Sequence, residues 1–275
     1  MPKIALLQMT SGIDPEANAA RIVDAAEQAA GEGAEMLFTP EMAALLDSNR
    51  KRASQNIVEE SDNPAVERVA RAAGDSGIWI SLGLPALRDD GRWANRTLLF
   101  DNKGEIAARY DKIHMFDVEL DTGESWRESA AYAPGEEVIT VDDTPLGRLG
   151  LTICYDIRFP ALFEELGRRC CDAIAIPAAF TVPTGKAHWH LLQRTRAVEA
   201  SAFVIGTAQV GKHEDGRETY GHSLVVDPWG EVLLDMGREG AGMQFCEIDL
   251  GRNAEVRKQL PSLANKRNIP KSRPQ

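Results

Sequence analysis

The chain has 275 residues, enough for a full hydrophobic core in one large domain or two small ones. Hydrophobic residues make up 43% and charged residues 27%, a globular balance that argues against disorder. The 31 Lys and Arg against 42 Asp and Glu give a formal charge of −11, which disfavours a nucleic-acid partner but leaves room for a local arginine to bind a small anion.

In chain order, Ile4 to Met9 reads as a buried first strand, and the apolar run Ile4-Ala5-Leu6-Leu7 is too short for a signal peptide. Asp14-Pro15 supplies an N-cap and a first-turn proline for an Ala-rich helix to Ala30, with Ile22, Ala26 and Ala29 at helical spacing and Gly31 and Gly33 at its end. Glu35 to Thr39 is a short strand stopping at Pro40-Glu41. Asn63-Pro64 opens a second helix, Ile78 to Leu82 is a strand, and Arg96 to Phe100 with Ile106 to Tyr110 forms a hairpin around Asn102-Lys103-Gly104. The second half repeats the scheme, with strands at Val138 to Val141 and Leu149 to Cys154. A helix at Phe159 to Arg169 follows, then a strand at Ala173 to Ile176 and a longer helix at Lys186 to Ala200. Phe203 to Ala208, Ser223 to Val226, Val232 to Leu234 and Met243 to Ile248 complete the sheets. The tail from about Pro261 is basic (Lys266, Arg267, Lys271, Arg273) and is expected to lie on a surface or a partner subunit. With no linker or short repeat, residues 1–275 read as one α/β domain, a two-layer or four-layer sandwich.

No window approaches the roughly 18 apolar residues of a membrane span. The four cysteines, Cys154, Cys170, Cys171 and Cys246, include no Cys-x-x-Cys pair and make no disulfide framework, so a cytoplasmic location is expected. Three polar residues stand where apolar strands end: Glu41, Lys112 and Cys154. A thiol needs a base or a cation beside it to act as a nucleophile; Glu41 could take its proton, and Lys112 could stabilise the negative charge that develops. Each residue alone has a plainer use, as a small core side chain, a capping carboxylate or a surface cation. A Cys-His pair using His114, His188 or His222 stays open. Other chemistries lack support. Gly221-His222-Ser223-Leu224-Val225 is missing the final glycine of a serine elbow, and no phosphate-binding glycine loop occurs. His188 and His190 are two apart, so on a helix they face apart and make a poor metal pair.

Pro40-Glu41, Tyr110-Asp111-Lys112-Ile113-His114 and Gly150-Leu151-Thr152-Ile153-Cys154-Tyr155-Asp156-Ile157-Arg158-Phe159-Pro160 resemble, in order and spacing, the motifs of the nitrilase superfamily of carbon–nitrogen hydrolases. The resemblance runs from about Lys3 to about Asn268. It implies a four-layer α-β-β-α sandwich, usually assembled as a homodimer or higher homo-oligomer, with neither metal nor organic cofactor. It also implies Glu41 as general base, Lys112 as oxyanion-stabilising cation, Cys154 as nucleophile and Glu128 as a second glutamate positioning substrate and lysine. His114 to Glu119, Thr184 to Trp189, Arg194 to Glu199 and Tyr220 to Gly230 resemble the branch that holds deaminated-glutathione amidase and omega-amidase. That branch usually has Pro and Glu where this chain has Lys186 and His190.

The resemblance implies an amidase working through a Cys154 thioester with release of ammonia, its small linear amide being deaminated glutathione or, alternatively, a 2-oxoglutaramate-type ω-amide. N-carbamoyl or nitrile hydrolysis by the same residues, and a non-enzymatic scaffold, are the other readings. The Tyr155 N–H is an expected oxyanion donor. A distal substrate carboxylate needs a cation, with Arg158 first, then Arg194, Arg196 and Lys186; ion pairing with Asp156 is the alternative use of Arg158. Phe180 and Thr181 are expected to line the acyl pocket, or else to pack as ordinary loop residues.

Overall fold

The computed structural model describes residues 1–119, 121, 123 and 125–270. β1 (Lys3–Gln8) leads to α1 (Pro15–Gly31), whose first amides at Glu16 and Ala17 donate to the Asp14 side chain. β2 (Met36–Phe38) is wholly buried, and α2 (Arg50–Ala53) is a single turn capped by Asn49. α3 (Pro64–Ser76) repeats the Asn-Pro entry, with the Ala65 amide donating to Asn63. β3 (Trp79–Leu87), β4 (Trp93–Phe100) and β5 (Ile106–Asp111) form an antiparallel meander, and β6 (Asp117–Glu119) pairs with β7 (Ser125–Arg127).

The second half opens with β8 (Thr140–Thr144) and β9 (Gly147–Leu151), followed by α4 (Pro160–Arg168), β10 (Ala173–Ala175), α5 (Val182–Ala200) and β11 (Phe203–Gly206). The hairpin of β12 (Val210–Lys212) and β13 (Glu218–Tyr220) precedes β14 (Leu224–Val226), β15 (Val232–Asp235), β16 (Gly242–Glu247) and α6 (Gly251–Gln259).

The strands make two six-stranded sheets, ordered β16-β1-β2-β3-β4-β5 and β15-β14-β11-β10-β9-β8. In each, three parallel strands (β1-β2-β3 and β9-β10-β11) carry antiparallel strands on both flanks. Alternation along the strands sorts the layers. Ile4, Leu6, Met36 and Phe38 of the first sheet join Leu149, Leu151, Ala173 and Ile205 of the second in one core. On the first sheet's other face, Ala5, Leu37, Ile80 and Leu82 meet Ala19, Ile22, Val69 and Ala73 of α1 and α3. Gly150 turns toward Leu166 of α4, where an added Cβ would stand 2.9 Å from Leu166 Cδ2. The architecture is a four-layer α-β-β-α sandwich.

Three differences from the sequence reading matter. β9 stops at Leu151, so Cys154 starts a one-turn 3-10 helix, Cys154–Arg158, instead of ending the strand. α5 begins at Val182, earlier than Lys186, because Pro183 fits its first turn. α2, α6 and the β6-β7 and β12-β13 hairpins had no sequence signal, being short or largely polar. The tail lies over α4, with Lys266 paired to Glu164 and the Leu263 side chain beside Gly167; Lys271 and Arg273 fall outside the described residues. Among the described residues no helix is long and apolar enough to cross a membrane, and all four cysteines are unpaired.

Candidate active site

A cavity of about 440 Å³ opens where the loops at the ends of the parallel strands meet, and it is lined by Glu41, Lys112, Glu128, Cys154, Tyr155, Arg158, Phe180 and Thr181 among others. Each reaches it from a different segment. Glu41 follows β2 on a loop pressed against β3; a Cβ on Gly83 would stand 2.2 Å from the Pro40 carbonyl oxygen, so glycine is required for that approach. Lys112 follows β5, where its own carbonyl accepts from the Gly135 amide at 2.8 Å. Glu128 comes from the turn after β7, and Cys154 from the turn after β9.

Cys154 has φ of +49°, a left-handed conformation that costs a side-chain-bearing residue about 1–2 kcal/mol. The surrounding bonds impose it. The Cys154 amide donates to the Pro177 carbonyl at 2.9 Å, and the preceding Ile153 amide donates to Asp156 Oδ2 at 3.0 Å. Asp156 is fully buried and also accepts from Tyr110 Oη at 2.7 Å, the His114 amide at 3.0 Å and His114 Nδ1 at 2.7 Å. It braces the nucleophile turn, and it is not the partner of Arg158. The Tyr155 amide has no hydrogen-bond acceptor among the described residues, which leaves it available to a substrate oxygen.

The ionisable groups form one chain. Lys112 Nζ donates to Glu41 Oε1 at 3.0 Å and to Glu128 Oε2 and Oε1 at 2.9 and 3.1 Å. Asn95 Nδ2 bridges the same carboxylates, at 2.7 Å from Glu41 and 2.9 Å from Glu128. The Ala179 amide donates to Glu41 Oε2 at 2.8 Å, and the Phe116 amide to Glu128 Oε2 at 2.6 Å. Cys154 lines the same cavity, close enough for its thiol to feel the Glu41 and Lys112 charges.

Burial pushes the Glu41 carboxyl up, but the adjacent Lys112 ammonium and the hydrogen bonds from Asn95 and Lys112 outweigh it and hold the group below its ordinary value. Burial pushes Lys112 down, yet the Glu128 and Glu41 charges raise it well above an ordinary lysine. For Cys154, burial and then the Glu41 charge drive the thiol well up against the pull of Lys112. The resting set is therefore a carboxylate, an ammonium and a neutral thiol, so that a nucleophilic Cys154 would give up its proton during attack. A flat activity plateau across neutral pH follows. The acid limb, where Glu41 protonates, lies below the ordinary glutamate value of 4.5, because that pKa is lowered; Lys112, being raised, loses its charge only above 10.5. A kcat/KM profile reads this directly, and a rise centred near about 8.5, the free-thiol value, would show instead that an ordinary thiol must ionise without help from Glu41 before it attacks.

The other residues singled out in the sequence are only partly brought together. Arg158 lines the cavity, its guanidinium 5.8 Å from the Tyr155 ring centroid and 5.5 Å from that of Phe180, with His188 Nδ1 at 3.3 Å. Phe180 also packs on Trp189, and Thr181 directly precedes α5 with its hydroxyl bonded to that of Thr184 at 2.8 Å. Arg194 donates to the Gly230 carbonyl and Arg196 to that of Ile157, both away from the cavity. Lys186 is exposed and His190 pairs with Asp235, so neither departure from the branch pattern touches the cavity wall. No histidine bonds Cys154 among the described residues: His114 is held by Asp156, His188 by Arg158 and His222 by Asp235. Asn95, the Ala179 amide, Trp126, Arg50 and Arg217 were not foreseen. None of these carried a readable local signal, Asn95 standing beside Arg96 and Thr97 in β4.

The chain as a whole resembles known proteins. The carbon–nitrogen hydrolase family model matches residues 3–258. The chain is 39% identical over 270 residues to the deaminated glutathione amidase of Yersinia enterocolitica, covering 97% of this chain and 93% of that protein. The crystal structure of the C. elegans NitFhit protein superposes with a TM-score of 0.89 at 37% identity, covering 97% of this chain but 65% of that longer one. A glutamate-to-glutamine variant of an amidase from Nesterenkonia sp. AN1, with the acetamide moiety of fluoroacetamide added covalently at its active-site cysteine, superposes with a TM-score of 0.80 at 26% identity, covering 94% of this chain and 96% of that one.

Proposed function

Because the chain belongs to the carbon–nitrogen hydrolase family, we propose that it is a thiol-dependent amidase in which Cys154, Glu41 and Lys112 carry the chemistry and Glu128 positions the lysine. The observation that carries this reading is the buried Lys112 ammonium held between Glu41 and Glu128 in the cavity that Cys154 also lines.

Cys154 Sγ attacks the amide carbon as its proton passes to Glu41. The oxyanion forms between Lys112 and the Tyr155 amide, each such donor contributing about 2.7–4 kcal/mol. Glu41 gives the proton to the departing nitrogen as the C–N bond breaks, leaving a thioester. Water then loses a proton to Glu41 and attacks; the C–S bond breaks and sulfur recovers its proton. These steps need only the side chains named and water.

The preferred substrate is deaminated glutathione, the reaction named for the Yersinia relative, with an ω-amide of the 2-oxoglutaramate type as the second reading. The leaving amine separates them and corrects the expected release of ammonia for the first: its secondary amide releases cysteinylglycine, and only the primary ω-amide releases ammonia. Arg158, stacked beside Tyr155 and Phe180 on the turn that bears Cys154, is suited to the acyl carboxylate. A panel of amides, nitriles and carbamoyl compounds at equal concentration tests the assignment. Amides with a 2-oxo acid acyl part are expected to turn over fastest, and preferred turnover of a nitrile or carbamoyl compound would contradict it.

We read residues 1–275 as one catalytic domain with a tail from about 261, because a single core joins both sheets. A homodimer is favoured by the exposed Leu191 and Val198 on α5 beside Trp229, Val232 and Leu233. The unpaired thiols suit a reducing, cytoplasmic setting.

A further inference from the structure

Arg158 is not the only arginine at the cavity. Arg217, on the loop joining β12 to β13, also lines it, with Arg50 nearby on α2. Its guanidinium lies 5.2 Å from the Trp126 ring centroid, and Nε is tied to Asp215 Oδ2 at 2.8 Å. The Asp215 side chain is fully buried, and it also accepts from the Ser48 amide at 2.8 Å and the Arg217 amide at 3.1 Å. One edge of Arg217 is thereby fixed. Its two Nη groups have no acceptor among the described residues, so the fork that best matches a carboxylate is presented unspent.

The two arginines belong to different parts of the machinery. Arg158 shares the 3-10 turn of Cys154, so it keeps its place relative to sulfur through both half-reactions, as recognition of the retained acyl part requires. Arg217 is carried by a separate hairpin and stacked on β7 through Trp126. A group held there can leave once the C–N bond breaks without disturbing the thioester. On a chain of net charge −11, two built arginine positions in one cavity fit a substrate that is anionic at both ends.

Resting on the amidase reading, we propose that Arg217 forms a leaving-group subsite that holds the carboxylate of a short peptide amine.

The test compares two amides with the same 2-oxoglutaryl acyl group, one losing ammonia and one losing cysteinylglycine. The readout is the ratio of their kcat/KM values in the parent, Arg217→Gln, Arg217→Lys and Arg158→Gln. A charged hydrogen bond of about 1.5–3 kcal/mol corresponds to a fall of about tenfold to a hundredfold in the peptide-amide to primary-amide ratio for Arg217→Gln. Arg217→Lys is expected to recover part of that ratio, and Arg158→Gln to lower both substrates while leaving the ratio near the parent's. An unchanged ratio in Arg217→Gln, with both substrates turned over by the parent, overturns the subsite and leaves the amidase intact. A parent that hydrolyses neither compound overturns both.

Discussion

Cys154→Ala is expected to remove turnover, with kcat falling by about 10⁶, the scale seen when a covalent nucleophile is deleted. The remaining groups can still bind an amide, but neither Glu41 nor a water in its place offers a nucleophile that leaves as readily as sulfur. The fold should persist. The thiol is already neutral at rest, so its loss strands no charge, and alanine meets the same left-handed strain that cysteine does. Cys154→Ser should be nearly as inactive, because a lowered Glu41 pKa makes a carboxylate too weak a base for an alcohol. Ammonia or amine release by either variant at more than a hundredth of the parental rate, with unchanged circular dichroism, would contradict the assignment.

Lys112→Met should damage both rate and stability. Loss of the oxyanion donor lowers kcat by about 10²–10³. Removal of the cation also leaves Glu41 and Glu128 sharing one amide, Asn95 Nδ2, as their common link. Breaking a buried ion pair in this way costs about 3–5 kcal/mol, visible as a lower urea midpoint. Without the ammonium that lowers it, the Glu41 pKa rises, so the acid limb of any residual activity moves to higher pH. Adding Glu128→Gln should restore part of the stability and none of the rate. A Lys112→Met protein as stable and as fast as the parent would refute the proposed electrostatics.

Much of this arrangement was readable because apolar strands and capped helices announce themselves. The Asp14-Pro15 and Asn63-Pro64 entries and the buried runs at β1, β2, β10 and β11 are local signals, and the structure puts elements there. The site motifs were legible through resemblance, since nothing local says that Glu41 and Lys112 meet. Their contact is made by sheet pairing. The Asn95 bridge depends on the register of β4 against β5, which sets Arg96 opposite Asp111 and lets the Lys112 amide donate to the Asn95 carbonyl. The Ala179 amide arrives from the second sheet, and Arg217 from a polar hairpin without hydrophobic periodicity. Asp156 shows the limit most plainly: two residues past Cys154, it was one alternative partner for Arg158, whereas burial sets it among four donors that hold the turn.

The central claim is that a neutral Cys154 thiol, relieved of its proton by Glu41 as it attacks, becomes acylated by the amide. Rapid acid quench during turnover, followed by mass spectrometry of the Cys154 peptide, tests this most directly. A mass increase equal to the acyl part of the substrate, absent in Cys154→Ala and discharged by water on longer incubation, is the expected result. Steady turnover with that peptide unmodified at every time point would contradict it.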